Sequence, residues 1–232
     1  MTRWWESRWA VAVAAIASTI PLWFVNLPPL IDLLGHMGRY HVQLNLADSP
    51  ALQANWAYHW QLIGNLGSDL TMELLGRMFG VERGAVILSG LLVVMMISGM
   101  ARLAKAAHGV LPATAWAAFP FAMAYPWQYG LVNYWLGVGC ALHAAAFYFR
   151  HPREGGDPTP DVSARHRLGN WAPALVGVTL GVVSLLLWVV HIYGWAVFAV
   201  LIAARAVANR PIMQWPRAIP ALLPLGLPLL VM

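Results

Sequence analysis

Asp32, His36 and Arg39 stand at positions i, i+4 and i+7 of the stretch Pro28-Pro29-Leu30-Ile31-Asp32-Leu33-Leu34-Gly35-His36-Met37-Gly38-Arg39-Tyr40. A helix there brings a carboxylate, an imidazole and a guanidinium onto one face, with Tyr40 and Gln43 beside them. A guanidinium grips phosphate oxygens in bidentate fashion. A carboxylate can take a proton from an acceptor hydroxyl or hold a divalent cation. The set suits a phosphorylated, lipid-borne substrate, with Asp32 and His36 as candidate catalytic groups and Arg39 as a candidate phosphate ligand. A helix lying at an interface with a wet polar face produces the same spacing.

Other polar residues join this set. Asn65, Asp69, Glu73 and Arg77 recur every fourth position and share one helical face. Glu73 precedes Arg77 by one turn, the favourable order for an ion pair. Asp69 has no basic residue one turn on, so the spacing leaves it as an unpaired carboxylate near apolar surroundings, a costly placement and a functional candidate. Gln128 and Asn133 lie in Tyr125-Pro126-Trp127-Gln128-Tyr129-Gly130-Leu131-Val132-Asn133-Tyr134-Trp135, and His191 opens His191-Ile192-Tyr193-Gly194-Trp195. With Asp69 these are candidate substrate-binding residues. Aromatic anchoring and small-residue packing at Gly130 and Gly137 account for the same turns. Trp56 and Trp60 read as part of an aromatic belt. His143, deep in an apolar run, reads as an interhelical hydrogen-bonding residue. His36, His41 and His59 match no zinc spacing, so Asp32 is the candidate for any metal contact.

The elements that must position these residues are set by composition. Of 232 residues 60% are hydrophobic and 10% charged, thirteen are Trp, and the mean hydropathy is +0.62. Soluble domains run near about 45–50% apolar and about 25% charged, so an ordinary water-soluble fold is excluded. The single cysteine, Cys140, excludes a disulfide framework. Apolar runs at 9–26, 84–101, 110–126, 131–149, 172–190, 194–208 and 216–232 predict about seven transmembrane helices, since roughly 17–25 apolar residues cross a bilayer. The expected architecture is an all-α, polytopic bundle in one domain, 1–232. Its outer loop, 28–83, holds interfacial helices, with 64–80 embedded on the outer side.

Charge supports that topology. Eleven of the fourteen Lys/Arg fall in segments 1–8, 102–109, 150–171 and 205–217. The other side keeps Arg39, Arg77 and Arg83 against Asp32, Asp48, Asp69, Glu73 and Glu82. This is the positive-inside pattern with a cytoplasmic N-terminus, and it explains the net +5 without nucleic acid. Residues 150–171, rich in Gly and Pro, read as a disordered cytoplasmic loop. Part of it looks like a translated dispersed bacterial genomic repeat. The chain ends inside an apolar stretch, as a truncated gene product would.

The long loop with its early Asp, the Asn65-Leu66-Gly67-Ser68-Asp69-Leu70 segment and the Tyr129-Gly130-Leu131-Val132-Asn133-Tyr134-Trp135-Leu136-Gly137 turn together resemble the GT-C superfamily of integral-membrane glycosyltransferases. The likeness covers about residues 9–208. It is nearest to a bacterial branch with Pro-x-x-Asp-x-x-x-His-x-x-Arg in that loop, which Pro29, Asp32, His36 and Arg39 match. The resemblance implies sugar transfer from a polyprenyl-phosphate donor on the periplasmic side of a bacterial inner membrane, by the whole chain or as the N-terminal part of a longer enzyme. It implies an essential acidic group at Asp32, a polar residue near the donor phosphate at His191, and a divalent cation, Mg or Mn, as the cofactor to test. Membrane lipids and a polyprenyl-phosphate-linked sugar are the expected partners. A transporter, or a catalytically silent membrane scaffold, is the alternative that the residues leave open.

Overall fold

The computed structural model describes residues 3–150, 172–208 and 210–232, with the side chains of 172–175 left aside. Every regular element among them is helical. Seven helices of ten residues or more carry the fold: α1 (Arg8–Ala17), α2 (Leu33–Asn45), α3 (Gly67–Phe79), α4 (Val81–His108), α5 (Val132–Arg150), α6 (Ala172–Val190) and α7 (Ile192–Val207). Helix α4, with 28 residues, is the one among those described that is long and apolar enough to cross a membrane. Its length of about 42 Å exceeds a hydrocarbon core of about 30 Å.

Contacts fix the direction of each helix. Met95 meets Gly139, and Ser98 and Arg102 both reach His143, so α4 and α5 run the same way. Gly137 packs on Gly194, and the Arg205 guanidinium lies over the Phe149 ring, so α7 follows them too. All three helices place a basic residue in the last turn (Lys105, Arg150, Arg205), where it meets the negative end of the helix dipole. Helix α1 runs against α4: Val11 lies by Ile97 and Ala101, and Thr19 and Leu22 by Gly90. Arg3 and Arg8 therefore join Lys105 at one basic end. The opposite end holds α2 and α3. Gly80, at φ +80°, turns the chain between α3 and α4, and Gly84 comes close to the backbone at Leu75 and Gly76. The main core lies among α1–α5, around Tyr40, Met72, Leu88, Leu92, Val93, Ile97 and Val132.

The expectation of seven transmembrane helices is corrected here. Runs 84–101, 131–149, 172–190 and 194–208 become α4–α7. Run 110–126 becomes two short pieces, Ala113–Ala117 and Ala118–Ala122, followed by Tyr125–Gln128. Run 216–232 becomes the end of a 3-10 turn (Ile212–Ala218), one α-turn (Ile219–Leu222) and another 3-10 stretch (Leu223–Leu230). Run 9–26 is helical only to Ala17, then 3-10 over Ile20–Phe24. Proline is the common cause: Pro112, Pro120 and Pro126 in one run, Pro216, Pro220, Pro224 and Pro228 in another, and Pro21 in the third. Each lacks the amide proton and crowds the carbonyl four residues back. The loop read at 150–171 lies outside the described residues, apart from Arg150.

Candidate functional site

The entry to α2 is clamped by the turn before α5. Ile31 N–H donates to the Gln128 carbonyl at 3.2 Å and Asp32 N–H to that of Tyr129 at 2.9 Å. Gly130, at φ +83°, lies under this contact, and a Cβ there would stand 3.0 Å from the amide nitrogens of Asp32 and Leu33. Asp32 occupies the N-cap position of α2, yet its carboxylate makes no cap bond. An Asp in that slot ordinarily accepts from the amide two or three residues on. Here the backbone is αR, the backbone is pinned, and the half-buried carboxylate is left to other partners.

His36 follows one turn later and stacks on Tyr40, centroids 6.1 Å apart. Burial first, then the Arg39 charge, push its pKa down, with Asp32 pulling the other way. The imidazole is therefore neutral near pH 7. Gly35 and Gly38 adjoin this face, and nothing lies within 4 Å of where their Cβ atoms would be.

Arg39 extends from α2 to α3, where its Nη2 donates to Asp69 Oδ2 at 2.6 Å. The two ends of the pair differ: the Asp69 side chain is 2% exposed and that of Arg39 39%. Desolvation raises the Asp69 pKa, and the Arg39 charge only partly offsets it. Asp69 Oδ1, Arg39 Nε and Gln43 Oε1 are buried without a hydrogen-bond partner. Gln43 Nε2 donates to the Asp69 carbonyl at 3.0 Å and to Glu73 Oε2 at 2.8 Å, while Arg77 Nε donates to Glu73 Oε1 at 2.6 Å. Tyr40 donates to Ser68 Oγ at 2.7 Å inside the core, and burial pushes its pKa up to about 12. The charges of Asp69, Arg39 and Glu73 also bear on Tyr58 of the preceding loop.

Residues 64–69 tie this pair to the rest of the bundle. The Gly64 carbonyl accepts from Ile192 N–H at 3.0 Å, and Leu66 N–H donates to the Val189 carbonyl at 2.8 Å. Asn133 accepts from Ser68 N–H through Oδ1 and donates to the Asn65 carbonyl at 3.2 Å through Nδ2. A Cβ at Gly64 would stand 2.7 Å from the Trp188 ring nitrogen, and one at Gly67 2.7 Å from Val190. This close approach needs glycine at both positions.

The expected residues thus do not all meet in one place. Asp32, His36 and Arg39 do share a face of α2, and Arg39 reaches Asp69. The spacing argument that left Asp69 unpaired is corrected, because its cation lies thirty residues back on another helix. Asn133 is 4% exposed, and both ends of its amide hold the start of α3. His191 caps α7, its Nδ1 accepting from Tyr193 N–H at 3.2 Å, and burial lowers its pKa. With Nδ1 used as an acceptor, Nε2 is the ring nitrogen left to donate to another group. Gln128 spends its amide on the Met123 carbonyl at 2.9 Å. Sequence reasoning set Tyr40 beside the α2 face but did not foresee its bond to Ser68 or the packing of Trp188 on Gly64; the closely spaced glycines of Gly64-Asn65-Leu66-Gly67 were the available signal. Trp56 and Trp60 lie outside regular helix, mostly exposed.

Among the described residues no three His, Cys, Asp or Glu side chains gather in one place that could hold a metal ion. No family model, curated protein or solved structure matches the chain.

Proposed function

We propose that this chain is an integral-membrane glycosyltransferase of the GT-C kind, taking a sugar from a polyprenyl-phosphate donor at the end of the bundle that carries α2. The observation that carries the reading is Asp32: a carboxylate pinned through its backbone, excused from capping its own helix, and set beside a bare glycine strip. Glycine inside a helix costs about 0.5–1 kcal/mol against alanine. Two in α2 without a packing neighbour make sense where a ligand comes close to the backbone.

Asp32 accepts the proton of the acceptor hydroxyl as that oxygen attacks the anomeric carbon. The bond to the phosphate oxygen breaks on the opposite face, and the electron pair leaves with the polyprenyl phosphate. The result is inversion in a single displacement. Arg39, half exposed and held by Asp69, faces the oxygens where charge builds. Neutral His36 orients the acceptor by hydrogen bonding.

The surroundings fit a multi-pass membrane protein. Large apolar side chains stand exposed along the bundle, among them Trp9, Val13, Ile16, Trp23, Phe24, Phe147, Val178, Leu186, Val200, Leu223 and Leu230. In water they would form an aggregating surface; in hydrocarbon they need no cover. The basic ends of α1, α4, α5 and α7 then lie in the cytoplasm and Asp32 in the periplasm.

Membranes holding the protein, given labelled polyprenyl-phosphate sugars, test this directly. Asp32→Asn is expected to lower transfer by at least about a hundredfold, the scale of a lost general base. Full transfer by that variant overturns the role of Asp32.

A further inference from the structure

At the basic end, the turn Trp4–Glu6 and the start of α1 close against the end of α4 around a hollow of about 460 Å³. That falls within the usual range of small-ligand sites, about 300–1,000 Å³. Arg3, Arg8 and Lys105 line it against one carboxylate, Glu6, and Trp4 and Trp9 form its apolar side. Among the described residues no carboxylate forms an ion pair with these cations: the ion pairs there are Arg39–Asp69 and Glu73–Arg77, at the far end. Arg3 and Arg8 lie over the rings of Trp5 and Trp9, 5.3 and 5.2 Å from the centroids. Trp116 holds the wall in place, donating to the Trp5 carbonyl at 3.3 Å and packing on Trp4 at 5.4 Å.

Like charges gathered round one hollow repel unless an anion joins them. Guanidinium groups match tetrahedral phosphate oxygens, and the exposed Trp faces suit the glycerol and upper acyl carbons beside a phosphate. We propose that this hollow is a binding site for a phosphate group, and that Arg3, Arg8 and Lys105 are its ligands. A phospholipid headgroup and free phosphate share that chemistry. The site uses none of the residues assigned to sugar transfer, so the two proposals stand or fall separately.

Native mass spectrometry of the full chain in neutral detergent, with equal phosphatidylglycerol and phosphatidylcholine, reads the lipid arm; sodium phosphate in a parallel titration reads the free-ion arm. Retention of phosphatidylglycerol over phosphatidylcholine is expected, falling about fivefold for each cation removed in Arg3→Gln and Lys105→Gln. Lys105→Arg keeps the charge and is expected to keep binding, as is Arg77→Gln at the far end. Inorganic phosphate bound with the same sensitivity assigns the site to the free ion; phosphatidylglycerol alone assigns it to lipid. Equal retention of both lipids with no phosphate binding overturns the proposal. So does binding indifferent to Arg3→Gln and Lys105→Gln, or loss in Lys105→Arg equal to that in Lys105→Gln. Asp32→Asn is expected to bind as the parent does, whatever its effect on transfer.

Discussion

The Arg39–Asp69 pair joins a wet cation to a dry anion, and that asymmetry decides what each substitution does. Arg39→Gln strands a carboxylate in the core, a loss of about 3–5 kcal/mol for a broken buried pair. Asp69→Asn leaves an amide that still accepts from Arg39, whose exposed side chain can also turn to solvent; about 1 kcal/mol is expected. Thermal unfolding in detergent should rank the two in that order, and a reversed order removes the argument. pH gives a second reading. The Asp69 pKa is raised in the folded state, so the native chain binds that proton more readily than the unfolded one. Its contribution to stability is complete below the ordinary carboxylate value and is lost as pH rises through the raised one. Measured from acid toward neutral pH, wild type should therefore lose ground relative to Asp69→Asn. An unchanged gap at pH 4 and pH 7 refutes this.

At the scale of elements, the glycines separate those that pack from those that expose. A Cβ at Gly194 would stand 2.7–2.8 Å from the backbone of Gly137, so Gly194→Ala forces α5 and α7 apart and should cost more than about 2 kcal/mol. Gly35→Ala meets open space and should stabilise α2 by about 0.5–1 kcal/mol. Under the proposed function it should also slow sugar transfer by filling the strip beside Asp32; faster or equal transfer in the stabilised variant counts against a ligand there. Helices α4 to α7 were legible because their apolar runs carry no proline beyond the first helical turn, where Pro173 of α6 stands, and so leave one solution for the backbone. The expected runs at 110–126 and 216–232 failed because hydropathy sums carbon and ignores the missing amide of proline. The face shared by Asp32, His36 and Arg39 was legible in a spacing of four and three. The partner of Asp69 was not, since its distance along the chain reflects how α2 lies on α3, which no local period encodes. His191 was found as a polar residue, but its work as a helix cap depends on a backbone bend that the sequence marks only by Tyr193-Gly194 just beyond it.

For the whole molecule, the segregation of charge is the fact with the widest reach. Arg3, Arg8, Lys105, Arg150 and Arg205 collect at one end, and Asp32, Asp69 and Glu73 toward the other. Under the proposed function, with Cys140 replaced by Ser, a cysteine at Gln53 should react with an impermeant maleimide in spheroplasts, and one at Lys105 only after lysis. The opposite labelling would invert the orientation and place Asp32 in the cytoplasm. The parallel course of α4 and α5 carries one last implication, for biosynthesis. Residues 109–131 travel back along the body in short helical pieces, Ala113–Ala117, Ala118–Ala122 and Tyr125–Gln128, and in the proposed bilayer lipid would offer no partner for the backbone groups left unpaired at their ends. Under the membrane placement proposed above, such a stretch would not leave the translocon by itself; it would wait for the following helix to emerge and enter the bilayer under its shelter.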